Sequence, residues 1–214
     1  MTAESYLITF FVILVLVLII SAYATYLVKR EEYVKKIKVD IDKDQMVESE
    51  KKIKDFLIKN DVNSGYTILE IANILNVQQG GIDPQLKNQA CMKEVGNTGR
   101  KIVYFKEGLT EKEKLFIFAH ELAHLINGDS IPVTRPEGSH KSHVEQCADY
   151  TAAALLMPFD EVHDYLSENE YVKASAMRKT RLLRGLCEKY NVTEVIALRR
   201  VKEIQTLELN FKRS

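Results

Sequence analysis

Hydrophobic and polar positions follow three regimes along this chain. From Tyr6 to Val28 the run YLITFFVILVLVLIISAYATYLV carries no charge and is dominated by Ile, Leu, Val and Phe. As a helix it would be about 34 Å long, enough to cross a bilayer core of about 30 Å. Tyr6, Tyr23 and Tyr26 fall near its ends, where amphipathic rings favour the interface. From Lys29 to Glu50 the chain turns polar, a solvated juxtamembrane spacer whose basic half can meet anionic headgroups. Beyond about Asp44 apolar positions recur every three or four residues. Met46, Val47, Ile53, Phe56 and Leu57 give one face of a helix ending near Asn60. Thr67 and Glu70 form a capping box for a second helix, with Ile68, Ile71, Ala72 and Leu75 inward. Gly80-Gly81 reads as a break. Asn88–Val95 and Lys101–Lys106 then read as two strands of a hairpin around Gly96-Asn97-Thr98-Gly99.

The clearest helix runs from Leu109 to Gly128. Thr110 and Glu113 form its capping box, Leu115, Phe118, Ala119, Leu122 and Ile126 its buried stripe, and Asn127-Gly128 its left-handed stop. After a Gly-, Pro- and Ser-rich loop, VEQCADYTAAALLMP predicts another helix, ended by Pro158. The C-terminal third is helical: Tyr171–Tyr190, then helix, Asn-containing turn and helix. Leu183, Leu186, Val192, Val195, Ile196, Leu198 and Val201 are its expected interior. Arg181, Arg184, Arg199, Arg200 and Lys202 make this segment basic, so a helix-turn-helix DNA reader was weighed against structural packing or docking of a protein substrate. Structural packing or docking of a protein substrate is preferred, and direct nucleic-acid binding is not expected.

Charge and cysteine usage bear on location. The formal net charge is zero, so no whole-protein field invites nucleic acid. Only MTAES precedes the apolar run, whereas Lys29, Arg30, Lys35, Lys36 and Lys38 follow it. The positive-inside rule therefore places a single-pass protein in the cell membrane, with its N-terminus outside and the rest in the cytoplasm. Ala22-Tyr23-Ala24 offers a cleavage site for the rival reading, a secreted protein with a signal peptide, but no Lys or Arg precedes the apolar core. Cys91, Cys147 and Cys187, odd in number and without a CxxC pair, suit a reducing compartment.

Chemistry concentrates in His120-Glu121-Leu122-Ala123-His124, an H-E-x-x-H pattern on the capped helix. Residues four apart share a helix face, so His120 and His124 can grip one ion. Glu121 lies roughly 100° around the helix, placed to take a proton from water without being a ligand. A third ligand is needed, and the extended pattern H-E-x-x-H-x-x-G-x-x-H fails, because Asn127 and Ser130 replace its Gly and His. Glu145 is the leading candidate, although Ser142-x-x-Glu145 is also a capping box that would claim the same carboxylate. Asp149, at i+4, can accept a hydrogen bond from a liganding imidazole. His140 and His143 are alternative ligands, and with Tyr150 they are candidate oxyanion donors; His163 reads as surface. KIVYFK, just before this helix, suggests either an edge along which a peptide lies or plain core sheet.

HELAHL followed by EQCADYTAAALLMP resembles the ImmA/IrrE family of zinc metallopeptidases, over roughly Glu50 to Pro158. Thr151 departs from that pattern, which usually has Phe there, and many members lack an apolar N-terminal segment. The resemblance implies His120, His124 and Glu145 as ligands of one zinc ion per chain and Glu121 as the catalytic glutamate. It also implies a protein substrate of the DNA-binding repressor type. The expected architecture is α+β: a zincin-like domain of mostly helices with a small β-hairpin or sheet, preceded by one transmembrane helix. The expected divisions are an anchor over 1–28, a charged linker over 29–44, a peptidase domain over 45–165 and a helical segment over 166–214. The competing class is a non-proteolytic membrane scaffold that sequesters a regulator and keeps zinc for structure. A closed structural site is usually four-coordinate, whereas three ligands with an intact Glu121 favour an enzyme.

Overall fold

The computed structural model describes residues 3–39, 41–129 and 142–211. The chain forms two compact units, Met1–Lys38 and Val39–Ser214. The first is a single helix, α1 (Ala3–Lys36). Within it Phe10–Lys36 is long and apolar enough to cross a membrane, and the side chains from Phe10 to Ile20 are exposed. These properties fit both a membrane span and a signal sequence.

The second unit is α+β, among the described residues mostly helical around one three-stranded sheet. α2 (Lys43–Lys59) starts at Asp42, whose side chain accepts from the amide of Gln45. α3 (Ile68–Ile74) begins with the expected capping box: the Glu70 amide donates to Thr67 Oγ1, and Glu70 Oε2 accepts from the Thr67 amide. β1 (Val77–Ile82) follows where the glycine pair predicts a break. It runs parallel to β3 (Lys101–Phe105), which pairs antiparallel with β2 (Ala90–Glu94) through the expected hairpin. Gly80 explains the discrepancy. A Cβ there would stand 2.6 Å from Ile102 Cγ2 and 2.9 Å from the Val103 carbonyl, so the glycine lets β1 lie against β3. The register slips between Gln79 and Ile82. KIVYFK is thus the middle strand, order β1-β3-β2, and the edge reading of it does not hold.

The sheet packs its buried face, Val77, Met92, Val103 and Phe105, against Phe118 and Leu122 of α4 (Glu111–Asn127). α4 opens with the Thr110–Glu113 capping box and closes at Gly128, whose φ of 80° turns the chain left-handed. The amide of Asp129 then donates to the His124 carbonyl at 2.9 Å. α5 (His143–Leu156) lies on α4 along a seam of Ala119, Ala123, Ala148 and Ala152, all fully buried. Paired alanines four residues apart on each helix let the two backbones approach closely, because no larger side chain holds them apart. Thr151 adds a partly buried hydrogen bond across the seam, its hydroxyl donating to Asn127 Oδ1 at 3.3 Å.

α6 (Phe159–Glu168), a short 3-10 turn (Tyr171–Lys173), α7 (Ala176–Lys189) and α8 (Glu194–Phe211) complete the unit. The turn between α7 and α8 is capped by Lys112 of α4, whose ammonium donates to the carbonyls of Cys187 and Val192. Leu183, Leu186, Val192, Ile196, Leu198 and Val201 are buried as expected; Val195 is 44 % exposed. Within α8, Ile196, Arg200 and Ile204 follow at four-residue steps on the inward line, and Val195 lies off it. Arg199 and Arg200 of the basic segment face inward partners. Arg200 is fully buried, and both arginines are engaged by carboxylates.

Candidate metal centre

The alanine seam sets the spacing between α4 and α5, and the polar ends of both helices meet beside it. His120 and His124, one turn apart on α4, bring their Nε2 atoms to 3.1 Å, with the rings nearly perpendicular. Glu145, on the first turn of α5, places Oε2 at 3.3 Å from His120 Nε2 and Oε1 at 3.7 Å from His124 Nε2. One ligand atom from each residue lies within 4.8 Å of the others. Ser142 still caps α5 by accepting from the Glu145 amide, while the Glu145 carboxylate is with the histidines. The side chains are 12 % (His120), 4 % (His124) and 6 % (Glu145) exposed.

The far side of each imidazole meets a second carboxylate. His120 Nδ1 is 2.9 Å from Asp149 Oδ1, in the place assigned to Asp149 by sequence. His124 Nδ1 is 2.8 Å from Asp129 Oδ2, a contact that sequence reading missed. Its signal was faint: Asp129 follows the Gly128 stop, and the left-handed turn carries it back over the last turn of α4. Arg199 was missed as well; its Nη1 donates to Asp149 Oδ2 at 3.2 Å and its Nε to Glu203 Oε1 at 2.9 Å. Only its place in the basic segment marked it.

Burial pulls the His120 imidazolium down, but hydrogen bonds and charge from Asp149 and Glu145 more than offset it and push its pKa up to about 9. The site is thus built to stabilise positive charge between these groups, which a metal cation supplies as well as a proton does. Two imidazole nitrogens and one carboxylate form a donor set that could hold a metal ion, and each imidazole is held from behind by a carboxylate.

The other candidates are placed as follows. Glu121 is half-buried beside His120 on α4. Tyr150 is fully buried; its hydroxyl donates to Glu50 Oε1 at 2.7 Å, and the Arg200 guanidinium lies over its ring. That proton is committed to the core, away from the duty of an oxyanion donor. Burial pushes the phenol well above its ordinary range. His143 is exposed at the start of α5, with Nδ1 3.8 Å from Cys147 Sγ. His140 lies outside the described residues. His163 sits on α6, stacked on Phe159 and paired with Glu208.

A mostly helical α+β unit with two histidines of an H-E-x-x-H helix and a glutamate of the next helix around one point defines a metallopeptidase-type fold and site. Residues 76–202 match the model of the IrrE N-terminal-like peptidase domain, and the chain belongs to this ImmA/IrrE peptidase family. No curated protein matches the chain.

Proposed function

We propose that this protein is a zinc-dependent endopeptidase tethered to the membrane by its N-terminal helix. The observation that carries the reading is the convergence of His120, His124 and Glu145 within 4.8 Å. These three would hold the ion, with Asp149 and Asp129 orienting the two imidazoles. When bound there, zinc supplies a Lewis acid that makes water acidic enough to lose a proton near neutral pH. Glu121 takes that proton on its carboxylate as the peptide carbonyl is attacked. It then returns the proton to the leaving amine, serving in turn as base and acid. The substrate we infer is a protein, of the helix-turn-helix repressor type that the family resemblance implies. Residues 1–28 would be the anchor, 29–44 a linker, and the peptidase domain would begin near 45, with the C-terminal helices closing it. The exposed apolar run of α1 and the positive charges that follow that run, from Lys29 to Lys38, support a cytoplasmic active site.

The test is metal content and proteolysis of the purified full chain in detergent. Wild type should carry about one zinc per chain. Glu145→Ala and His124→Ala should lose it. Glu121→Gln should keep the metal and lose peptide-bond hydrolysis. Full zinc in Glu145→Ala, or hydrolysis by Glu121→Gln, would overturn the assignment.

A further inference from the structure

α8 carries two adjacent arginines with separate duties, Arg200 fully buried and Arg199 partly buried. Arg200 is structural: Nε donates to the Met157 carbonyl at 3.0 Å and Nη2 to Glu50 Oε1 at 2.7 Å, tying α8 to the end of α5 and to α2. Arg199 reaches the metal site instead. Asp149, 3 % exposed, has one oxygen on each side of a junction: Oδ1 meets His120 Nδ1 at 2.9 Å, and Oδ2 accepts from Arg199 Nη1 at 3.2 Å. A carboxylate bonded through one oxygen alone can swing its plane about the Cβ–Cγ bond. A second, charge-assisted bond from a different helix fixes that plane. With the plane fixed, Asp149 accepts from the Nδ1–H of His120, which leaves the lone pair on Nε2, the atom facing His124 and Glu145. Arg199 is aimed in its turn: Glu203, one helical turn along α8 and fully buried, accepts from its Nε at 2.9 Å.

We propose that Arg199 is a positioning residue for the metal centre, acting through Asp149 to set the tautomer and direction of the His120 imidazole, with Glu203 holding Arg199 in place. The C-terminal helix thereby belongs to the site as its outer support. This rests on the reading of His120, His124 and Glu145 as a zinc site.

The experiment compares Arg199→Met with Arg200→Met in the full chain in detergent. Zinc affinity is read by chelator competition, and ligand geometry by the visible absorption of the cobalt-substituted protein. Arg199→Met should weaken zinc by about tenfold, the lower end of what loss of an outer partner costs, and should shift the cobalt bands. Arg200→Met should lower thermal stability while its folded form keeps the wild-type zinc affinity and cobalt spectrum. Combined with Asp149→Asn, Arg199→Met should add no further loss, because its route to His120 is already cut. Arg199→Lys keeps the charge but not the fork, and should fall between wild type and Met; if the Met variant does not fold, the Lys variant decides. Wild-type affinity and spectrum in Arg199→Met, or in Arg199→Lys where that is the folded variant, would overturn the proposal. So would equal losses of affinity at positions 199 and 200. A wild-type chain that binds neither metal would remove the underlying site, a failure seen before any arginine is changed.

Discussion

Asp129 Oδ2 lies 2.8 Å from His124 Nδ1, while Nε2 of the same ring meets His120 and Glu145. Each imidazole of the pair thus has its own carboxylate. Asp129→Ala should leave His124 present but free to turn, and zinc affinity should fall by about 10- to 100-fold. Asp129 is 19 % exposed at the end of α4, so the fold should persist. Chelator competition alongside far-UV circular dichroism separates the two; an unchanged affinity would mean that Asp129 only caps the helix.

Gly80 and Gly81 should differ sharply despite adjoining. Gly80→Ala forces a Cβ to within 2.6 Å of Ile102 Cγ2 and 2.9 Å of the Val103 carbonyl. Overpacking of that kind costs about 1–3 kcal/mol. At Gly81 an added Cβ meets nothing within 4 Å. Denaturant midpoints of the two variants check this, and equal midpoints would contradict the close approach of β1 to β3.

The start of the metal helix should titrate. Glu113 Oε2 accepts from the Thr110 amide at 2.8 Å and its hydroxyl at 2.7 Å, and these bonds lower the Glu113 pKa below the ordinary 4.5. A depressed carboxylate contributes stability above its unfolded pKa and loses it as pH falls through the folded value. Glu113→Gln keeps an acceptor and removes the charge. Wild type should therefore be the more stable at neutral pH, with the gap closing as pH falls below 4.5. A gap that stays constant across that range in denaturant titrations would show that the charge contributes nothing.

Arg200→Met should be among the most damaging single changes in the unit. It strips the guanidinium from Glu50 and Glu203, and breaking one side of a buried ion pair costs about 3–5 kcal/mol. Thermal unfolding measures it, and a loss below 1 kcal/mol would indicate that the cluster relaxes around the gap.

The tether gives the last prediction. A chain starting at Val39 keeps every proposed ligand and the whole second unit. It should bind zinc and cleave in solution, whereas the full chain should sediment with membranes and resist alkaline extraction. We hypothesise that confinement to the membrane surface couples cleavage to an event there, since a tether raises effective concentration for membrane partners. In cells the untethered domain should cleave its substrate with or without the inducing signal. Fully regulated cleavage by that domain would sink the coupling idea.

Local signals were legible and long-range ones were not. The Thr67–Glu70 and Thr110–Glu113 boxes and the Gly128 stop involve residues within one turn, so sequence spacing displays them directly. His120 and His124 share a helix face for the same reason, and Glu145 and Asp149 could be placed on a facing helix by their own i,i+4 relation. β1 was missed because VQQGGI has little apolar alternation, and its glycine serves a partner strand more than twenty residues away. That parallel partner is also what decides for KIVYFK between a sheet edge and the core of the sheet, in favour of the core. Arg199 and Arg200 were legible only as members of a basic segment, because periodicity cannot reveal the partners of a cation; the carboxylates from α2, α5 and α8 around them do.

The order in which the chain is synthesised gives the outer support a further consequence. His120, His124, Glu145 and Asp149 leave the ribosome well before Arg199, which lies 50 residues beyond Asp149. A nascent or prematurely terminated polypeptide can therefore display the whole ligand set while lacking the helix that steadies it. Bracing of the centre is thus deferred until α8 has been synthesised, and products truncated ahead of Arg199 carry an incompletely braced centre.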